Sequence, residues 1–214
     1  MIKNLTFSDG VSTSFKLAIN QIWAIVGAWI LWILTIWIPY INVGTTIGLI
    51  RLQIQLGRGE SINSADIFDA DNRAAMGNIF LVWSFMTTGV IIGLIFFVIP
   101  GFVLFYAWFL STMLVLDKKL GPVDALVKSY ELTYGHKWTI FFILAIIQLV
   151  VGAFSLLFDT QIWDIYQYGY GNDPLLFWFL NIGYIIINIL GAAWMMTSYG
   201  YIYSVLSGSK KSKK

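Results

Sequence analysis

A few polar side chains lie inside or beside long stretches of sequence that carry no charge. Arg51 directly follows the charge-free run 17–50, and Gln148 lies in the middle of another such run. Asn181 and Asn188, in a further run, are seven residues apart and would share one face of a helix. Polar groups are costly inside a bilayer, so these four residues are the candidate intramembrane polar site.

Two roles are open for this polar site. Amide side chains in membranes can hydrogen-bond between helices, at ~0.6 kcal/mol per bond on average, and the sequence favours this role. A solute path would instead require several amides to converge on one cavity. Arg51 either snorkels toward the cytoplasmic surface, as long basic side chains do near helix ends, or faces a wet cavity or an anionic lipid headgroup.

Residues suited to catalysis or metal binding are few. The chain has one histidine, His136, and no cysteine, which excludes His-rich metal sites, thiolate sites and thiol nucleophiles. Asp66, Asp69 and Asp71 lie close together, but their spacing lacks the glycine and terminal glutamate of a calcium loop. No phosphate-binding, serine-hydrolase or zinc-protease motif occurs. We therefore expect a protein without catalytic activity, cofactor or metal.

The composition places these residues in a membrane protein. Hydrophobic residues make up 58% and charged residues 11% of the 214-residue chain, whereas soluble domains carry about 25% charged residues. A soluble domain of this size could not bury so much apolar surface. The net charge of +2 argues against nucleic acid as a partner. The partner that the composition predicts is the lipid bilayer.

The lengths of the charge-free runs predict how the chain is threaded. The run 74–116 has 43 residues, and as one helix it would be about 65 Å long, twice the thickness of the hydrocarbon core. It must therefore fold back, and Pro100–Gly101 is the strongest turn signal near its centre. The runs 17–50 and 174–209 are each compatible with one tilted helix or with a hairpin, and 38–44 is the candidate turn of the first.

The distribution of lysine and arginine decides between these threadings. Cytoplasmic loops retain both residues, and hairpins for the first two runs with single spans for the other two place all basic groups on one side. The segment 159–173 on the other side is acidic and has no basic residue. We predict an all-α polytopic membrane bundle, a single integral domain over 1–214, with both termini cytoplasmic and short amphipathic interfacial helices. Its six transmembrane helices are expected at 15–38, 40–57, 76–99, 101–117, 138–158 and 174–197.

The polar segment 121–135, between two predicted spans, has the pattern of an amphipathic helix. Pro122 suits a first helical position and Gly135 a C-terminal stop. We expect this helix to lie along the inner membrane interface. The alternative is a docking helix for a partner. Its apolar residues follow the spacing of one helical face: Val123, Leu126, Val127, Tyr130 and Tyr134.

Residues 99–138, IPGFVLFYAWFLSTMLVLDKKLGPVDALVKSYELTYGHKW, join an Ile-Pro-Gly turn, a Gly-Pro break, an Ala-Leu-x-x-Ser helix and a glycine before the next span. This pattern resembles that of bacterial multi-pass integral membrane proteins of unknown function. The group includes the membrane domain joined to some glycerophosphodiester phosphodiesterases, and segment 48–60 supports the resemblance. It implies a multi-pass fold in the bacterial cytoplasmic (inner) membrane. It implies no phosphodiesterase activity, because the chain has no room for that domain.

These observations favour two functions over a third, a membrane enzyme acting on lipids. The acid, base or metal groups of such an enzyme could come only from His136, Asp117, Asp124 and Glu131. The leading hypothesis is a scaffold, assembly or envelope-homeostasis factor without catalytic activity, and it rests on short loops, amphipathic helices and the lack of catalytic groups. The alternative is a transporter or channel for a small or lipidic solute, and it rests on Arg51 and Gln148. The expected partners are the lipid bilayer, an anionic lipid near Arg51 and other membrane proteins.

The predicted topology can be tested with single cysteines, since the chain has none of its own. Position 128 is expected on the cytoplasmic side and position 164 on the opposite side. A membrane-impermeant thiol reagent applied to intact cells should therefore label Asp164→Cys, while Lys128→Cys should react only after the membrane is permeabilised. The reverse labelling pattern would overturn the six-span topology.

Overall fold

The computed structural model describes residues 5–168 and 174–208, and every regular element in these ranges is a helix. The predicted all-α class is therefore confirmed over the described chain. A 3₁₀ helix at Ser64–Phe68 lies between α3 and α4. The α-helices are α1 Phe7–Asn20, α2 Ile22–Thr35, α3 Pro39–Gly57, α4 Ala70–Ala74, α5 Met76–Phe96, α6 Val98–Trp108, α7 Ser111–Lys118, α8 Pro122–Thr133, α9 Lys137–Tyr168 and α10 Pro174–Leu206.

Several of these helices are long and apolar enough to cross a membrane. Four such stretches occur in the described residues: Met76–Phe96, Val98–Lys118, Lys137–Trp163 and Leu175–Leu206. They correspond to the last four predicted spans. The bent pair α1 and α2 would add a fifth. Helix α3, the second predicted span, is not among them, and it carries Arg51, Gln53 and Gln55. Four or five such helices are typical of a multi-pass membrane protein.

The predicted span 15–38 is not one helix, because the chain bends by 74° between α1 and α2. The bend occurs at Gln21, whose Nε2 donates to Glu60 O at 2.9 Å and whose Oε1 accepts from Ile62 N at 3.3 Å. These bonds tie the bend to the loop after α3. Helix α1 instead packs its buried face on α9 and α10, as an amphipathic helix does.

The first charge-free run folds back at the predicted turn to form a hairpin of α2 and α3. Pro39 is the first residue of α3, a position where proline sacrifices no helical hydrogen bond. Thr35 Oγ1 lies 2.9 Å from Thr45 Oγ1, and Trp32 Nε1 donates to Thr46 Oγ1 at 2.9 Å. The partners advance along α3 as they recede along α2, so the two helices are antiparallel.

The second hairpin, α5 and α6, turns at Phe97, slightly before the predicted corner at Pro100. Phe97 has extended backbone angles, φ −156° and ψ 124°, while Pro100 lies in the first turn of α6. On either side of the turn, a Cβ added to Gly93 would lie 2.9 Å from Gly101 Cα. The two glycines let the helices approach, and the run 74–116 does fold back on itself.

Helix α8 docks on the break between α6 and α7. Ser129 Oγ donates to Ala107 O at 2.7 Å and accepts from Leu110 N at 3.1 Å. Thr133 Oγ1 also donates to Ala107 O, at 3.2 Å. Backbone groups at a helix end need partners when they are buried. The hydroxyls of α8 therefore stabilise the interruption of the fourth predicted span.

The predicted amphipathic helix is confirmed as α8, but its faces divide differently from the prediction. Leu126 is buried with the residues that contact the break, because the two hydroxyls require that face to point inward. The other predicted apolar residues are exposed: Val123, Val127, Tyr130 and Tyr134. Lys137 Nζ lies 4.8 Å from the centre of the Tyr130 ring. An exposed apolar row beside a cation is typical of an interfacial helix.

Helices α9 and α10 both continue past the predicted ends of their spans, at 158 and 197. They have 32 and 33 residues, about 48–50 Å of helix, so they are longer than the hydrocarbon core. Between positions 153 and 168 the sequence has neither proline nor glycine, and nothing local stops α9. The last turns of α10 continue because they pack against α1 and α3.

Helices α3 and α10 cross with their backbones in contact. A Cβ added to Gly200 would overlap Gln53 O, and one added to Gly57 would overlap the Gly200 peptide. One turn later, Ser204 Oγ donates to Gly57 O at 2.7 Å. Small residues permit this close approach of helices in membranes.

Buried hydroxyls also hold α1 on α10. Ser14 Oγ accepts hydrogen bonds from Trp194 Nε1 at 3.0 Å and from Ser198 Oγ at 2.9 Å. Thr197 Oγ1 donates to Ser14 O at 2.9 Å. The polar groups of Ser14 on the buried face of α1 therefore have hydrogen-bond partners on α10, and α1 packs as part of the bundle.

Gly200→Ala is expected to destabilise the bundle, because its Cβ would overlap the α3 backbone and force the two helices apart. Overpacking of this kind costs about 1–3 kcal/mol, which would be measured as a lower thermal midpoint in detergent micelles. Gly152→Ala on α9 is the matched control, since no atom lies within 4 Å of its added Cβ. An unchanged midpoint for Gly200→Ala would contradict the crossing.

Candidate functional site

A cleft of about 490 Å³ lies between α2, α3, α9 and α10. Each of the last three helices contributes one carboxamide to it: Gln53, Gln148 and Asn188. We call this space the polar cleft. Its remaining lining residues are aromatic, aliphatic or methionine: Trp29, Leu49, Val151, Gly191, Ala192, Met195, Met196 and Tyr199.

Helix packing brings the three amides of the polar cleft together. Helix α10 packs against α9 at Gly191, about one turn from Asn188, so that Asn188 and Gln148 line the same space. Helix α10 also crosses α3 at Gly57, about one turn from Gln53, which adds the third amide. The cleft is therefore a product of two helix crossings on α10.

The amides can both donate and accept hydrogen bonds. Asn188 Nδ2 donates to Tyr184 O at 2.9 Å within α10, which holds its side chain against the helix. Gln148 is exposed at the outside of the bundle, so its amide lies at the opening of the cleft. A carboxamide offers one acceptor oxygen and two N–H donors, so the three suit hydroxyl, ester and amide groups.

None of the described residues that line the polar cleft carries a charge. Moving a charged ligand group from water into such surroundings is costly when no opposite charge receives it. A neutral polar group with hydrogen-bond donors and acceptors meets a smaller penalty. The lining is therefore better suited to uncharged polar groups than to charged ones.

The structure divides the four predicted site residues. Gln148 and Asn188 line the polar cleft, whereas Asn181 donates from Nδ2 to Phe177 O at 2.8 Å and does not line it. Asn181 and Asn188 share a face of α10 but lie about 10 Å apart along its axis. Arg51 lines a different cleft, because it is about 200° around α3 from Gln53.

Arg51 lies in a cleft of about 290 Å³ between α3, α4, α5 and the end of α7. Lys119 adds a second positive charge, Asp71 a negative one, and Asn78 an amide. The remaining lining is small or aliphatic: Ala74, Ala75, Val115 and Leu116. We call this space the cationic cleft, since two positive charges face one negative charge.

An apolar groove of about 480 Å³ lies between α1, α9 and α10. It shares Val151 and Gly191 with the polar cleft. Its other lining residues are almost entirely apolar: Val11, Ser12, Phe15, Val150, Phe154, Ile187, Leu190 and Trp194. The apolar groove and the polar cleft thus adjoin across the contact between α9 and α10.

A buried ion pair, which the sequence analysis missed, joins α3, α7 and α10 at their C-terminal ends. Arg58 Nη2 contacts Asp117 Oδ1, and Tyr203 Oη donates to Asp117 Oδ2 at 2.7 Å. The charged side chains are only 15% and 11% exposed. Lys118 Nζ lies 3.4 Å from the same carboxylate. The sequence does show that Arg58 and Asp117 each border an apolar helix, which marks both as candidates for a buried charge. Their contact depends on the fold and could not be predicted.

The predicted acidic cluster has a local structural role. Asp69 Oδ1 accepts from Asp71 N at 3.0 Å and caps α4. Asp71 lies in the cationic cleft, and Asp66 belongs to the 3₁₀ helix. Within residues 5–168 and 174–208, no group of three or more Asp, Glu or His side chains could hold a metal ion.

No protein-family model, curated protein or solved structure matches this chain. A function must therefore be inferred from the arrangement of the polar cleft and the adjoining apolar groove. The polar cleft can hydrogen-bond a neutral headgroup, and the apolar groove beside it can take up a hydrocarbon chain.

Asp117→Ala is expected to destabilise the protein by about 3–5 kcal/mol, because it removes the buried carboxylate that contacts both Arg58 and Tyr203. Tyr203→Phe removes one hydrogen bond to the same carboxylate and should cost less, about 1.5–3 kcal/mol. The double variant Arg58→Met/Asp117→Leu removes both charges and should recover most of the loss. Thermal midpoints in one detergent test this order, and a double variant no more stable than Asp117→Ala would contradict it.

Proposed function

We propose that the protein binds an uncharged amphiphile, a lipid with a small neutral headgroup, in the polar cleft. The observation in favour is the convergence of Gln53, Gln148 and Asn188 on one cleft of about 490 Å³. Hydrogen bonds that merely join helices need no shared cavity, whereas a bound solute does. Few polar groups set in a mostly apolar lining are typical of small-molecule sites.

The position of the opening supports a lipid as the ligand. Gln148 is exposed and lies about 16 Å along α9 from Lys137, near the middle of a ~30 Å hydrocarbon core. Leu149, the next residue, is 66% exposed, which suits a surface that faces acyl chains. A ligand can therefore enter the polar cleft sideways from the bilayer.

The neighbouring apolar groove supports the same ligand class. An amphiphile has one polar end and at least one hydrocarbon chain, and the two spaces adjoin at Val151 and Gly191. A headgroup in the polar cleft leaves its chain next to the apolar groove. Burial of a hydrocarbon chain contributes about 0.8 kcal/mol per CH₂ when the chain is taken from water. A chain that comes from the bilayer is already in an apolar medium and gains little free energy on binding. The contacts of the headgroup therefore determine the specificity.

A transporter or channel for a small or lipidic solute is the alternative function expected from the sequence. Binding of a lipidic solute is the first step of such transport. The proposed role assigns no catalytic residue. The scaffold or assembly role stays a prediction, and the surface available to it is the exposed row of α8: Val123, Val127, Tyr130 and Tyr134.

We also propose that α2 and α3 cross the bilayer, which gives six spans with both termini cytoplasmic. Trp23 and Trp37, near the two ends of α2, are 85% and 87% exposed, as suits the two interfacial aromatic belts. Helix α2 has 14 residues, about 21 Å, and local thinning of the bilayer accommodates such a mismatch. The basic residues support the same sidedness, because this hairpin returns to the side from which it starts.

The bacterial cytoplasmic membrane is the proposed location. It rests on the pattern in residues 99–138 and on its resemblance to bacterial multi-pass membrane proteins, including the domain joined to some glycerophosphodiester phosphodiesterases. Both the location and the relationship stay predictions.

The lipid-binding role can be tested with a diacylglycerol that carries a photoreactive diazirine on one acyl chain. Gln148→Leu/Asn188→Leu should weaken its saturable crosslinking to the purified protein by about thirtyfold, since two hydrogen bonds of about 1 kcal/mol each are lost. Asn181→Leu is the matched control: it makes the same change on α10 outside the polar cleft, and its crosslinking should equal that of the unmodified protein.

The thermal midpoint of each variant shows whether its fold is intact. A phosphatidic acid probe with the same acyl chains serves as the charged counterpart. Because the polar cleft has no positive charge to receive a phosphate, an excess of diacylglycerol should not reduce the crosslinking of this second probe to the protein. Equal diacylglycerol crosslinking in the double variant and the unmodified protein would refute the proposed function.

A further inference from the structure

We propose a second ligand site, in which Arg51 and Lys119 of the cationic cleft bind a phosphate group. This site lies on the opposite side of α3 from the polar cleft and shares no lining residue with it. The two sites are therefore independent, and either can exist without the other.

Arg51 supplies the first contact. Its Nε is buried and has no hydrogen-bond partner among the described residues. A buried N–H of a guanidinium is unfavourable without an acceptor, and a phosphate oxygen in the cleft would provide one. Arginine also presents parallel N–H groups that match two phosphate oxygens. A side chain that snorkelled fully into water would expose this Nε–H group as well.

Lys119 supplies the second positive charge, at the exposed edge of the cleft. It follows α7 with φ of 53°, and among the described residues it alone has a positive φ without being glycine. Glycine or asparagine is the usual choice at such a helix end. Lys119 thus places an ammonium group beside the cleft despite its unfavourable backbone angles.

The other polar groups of the cationic cleft suit a phosphomonoester. Arg51 and Lys119 together carry two positive charges and Asp71 one negative charge, so the cleft has a net positive charge that a phosphate would balance. Asn78 can donate an amide N–H to a phosphate oxygen, and Asp71 can accept from a protonated phosphate oxygen. A space of about 290 Å³ accommodates a headgroup of this size.

The phosphate group can come from a lipid headgroup or from free phosphate, and one experiment distinguishes the sources. The full-length protein in a neutral detergent is titrated with dioctanoyl phosphatidic acid, with inorganic phosphate, and with dioctanoylglycerol as the phosphate-free counterpart. Binding is read from the rise in the thermal midpoint. Phosphatidic acid is expected to raise it; a rise with inorganic phosphate as well would identify a site for the free anion.

Three variants test the residues that carry the site. Arg51→Gln should weaken phosphatidic acid binding by about tenfold, the loss expected for a charge-assisted hydrogen bond. Lys119→Gln, a change at an exposed turn that keeps the fold intact, should weaken binding several-fold. Lys128→Gln removes one positive charge from the exposed surface of α8, outside the cleft, and should bind as the unmodified protein does.

Two results would overturn the phosphate site. One is the absence of a midpoint change with both phosphatidic acid and inorganic phosphate. The other is equal affinity of the unmodified protein, Arg51→Gln and Lys119→Gln for phosphatidic acid. A midpoint change caused by dioctanoylglycerol reports on the polar cleft alone, so that failure of one site is distinguishable from failure of the other.

Discussion

The crossing of α3 and α10 at Gly57 and Gly200 is the contact on which the rest of the bundle depends. Lipid tails are as apolar as the side chains they replace, so close packing and hydrogen bonds must hold the helices together. The crossing brings Gln53 into the polar cleft, and the residue after Gly57 is Arg58, whose partner is Asp117. A single backbone contact thus joins the candidate binding site to the buried ion pair.

Interruptions in the helices are the second organising feature, and polar side chains from other elements stabilise them. Gln21 ties the bend between α1 and α2 to the loop after α3. Ser129 and Thr133 of α8 satisfy the backbone at the break between α6 and α7. Because unsatisfied backbone groups are costly away from water, these side chains determine where helices can break, and hence where α1 and α8 pack.

Helix α3 lies between the polar cleft and the cationic cleft, and it contributes a polar side chain to each. Gln53 faces the uncharged polar cleft, and Arg51 faces the cationic cleft on the other side. This polarity also explains why α3 is not apolar enough to count among the candidate spans. A helix enclosed by α2, the 3₁₀ helix and α10 tolerates such residues, because its polar side chains face protein and clefts rather than lipid.

The sequence by itself determined the membrane environment, the all-helical class, the two hairpins and the presence of α8. Those features follow from local quantities: the length of charge-free runs, proline positions and apolar spacing along one helix. Only the tertiary structure decided that Gln148 and Asn188 meet Gln53 while Asn181 and Arg51 lie elsewhere, and that Arg58 pairs with Asp117. Helical periodicity relates residues on one helix, whereas these contacts depend on how separate helices cross, which small residues such as Gly57 and Gly200 allow.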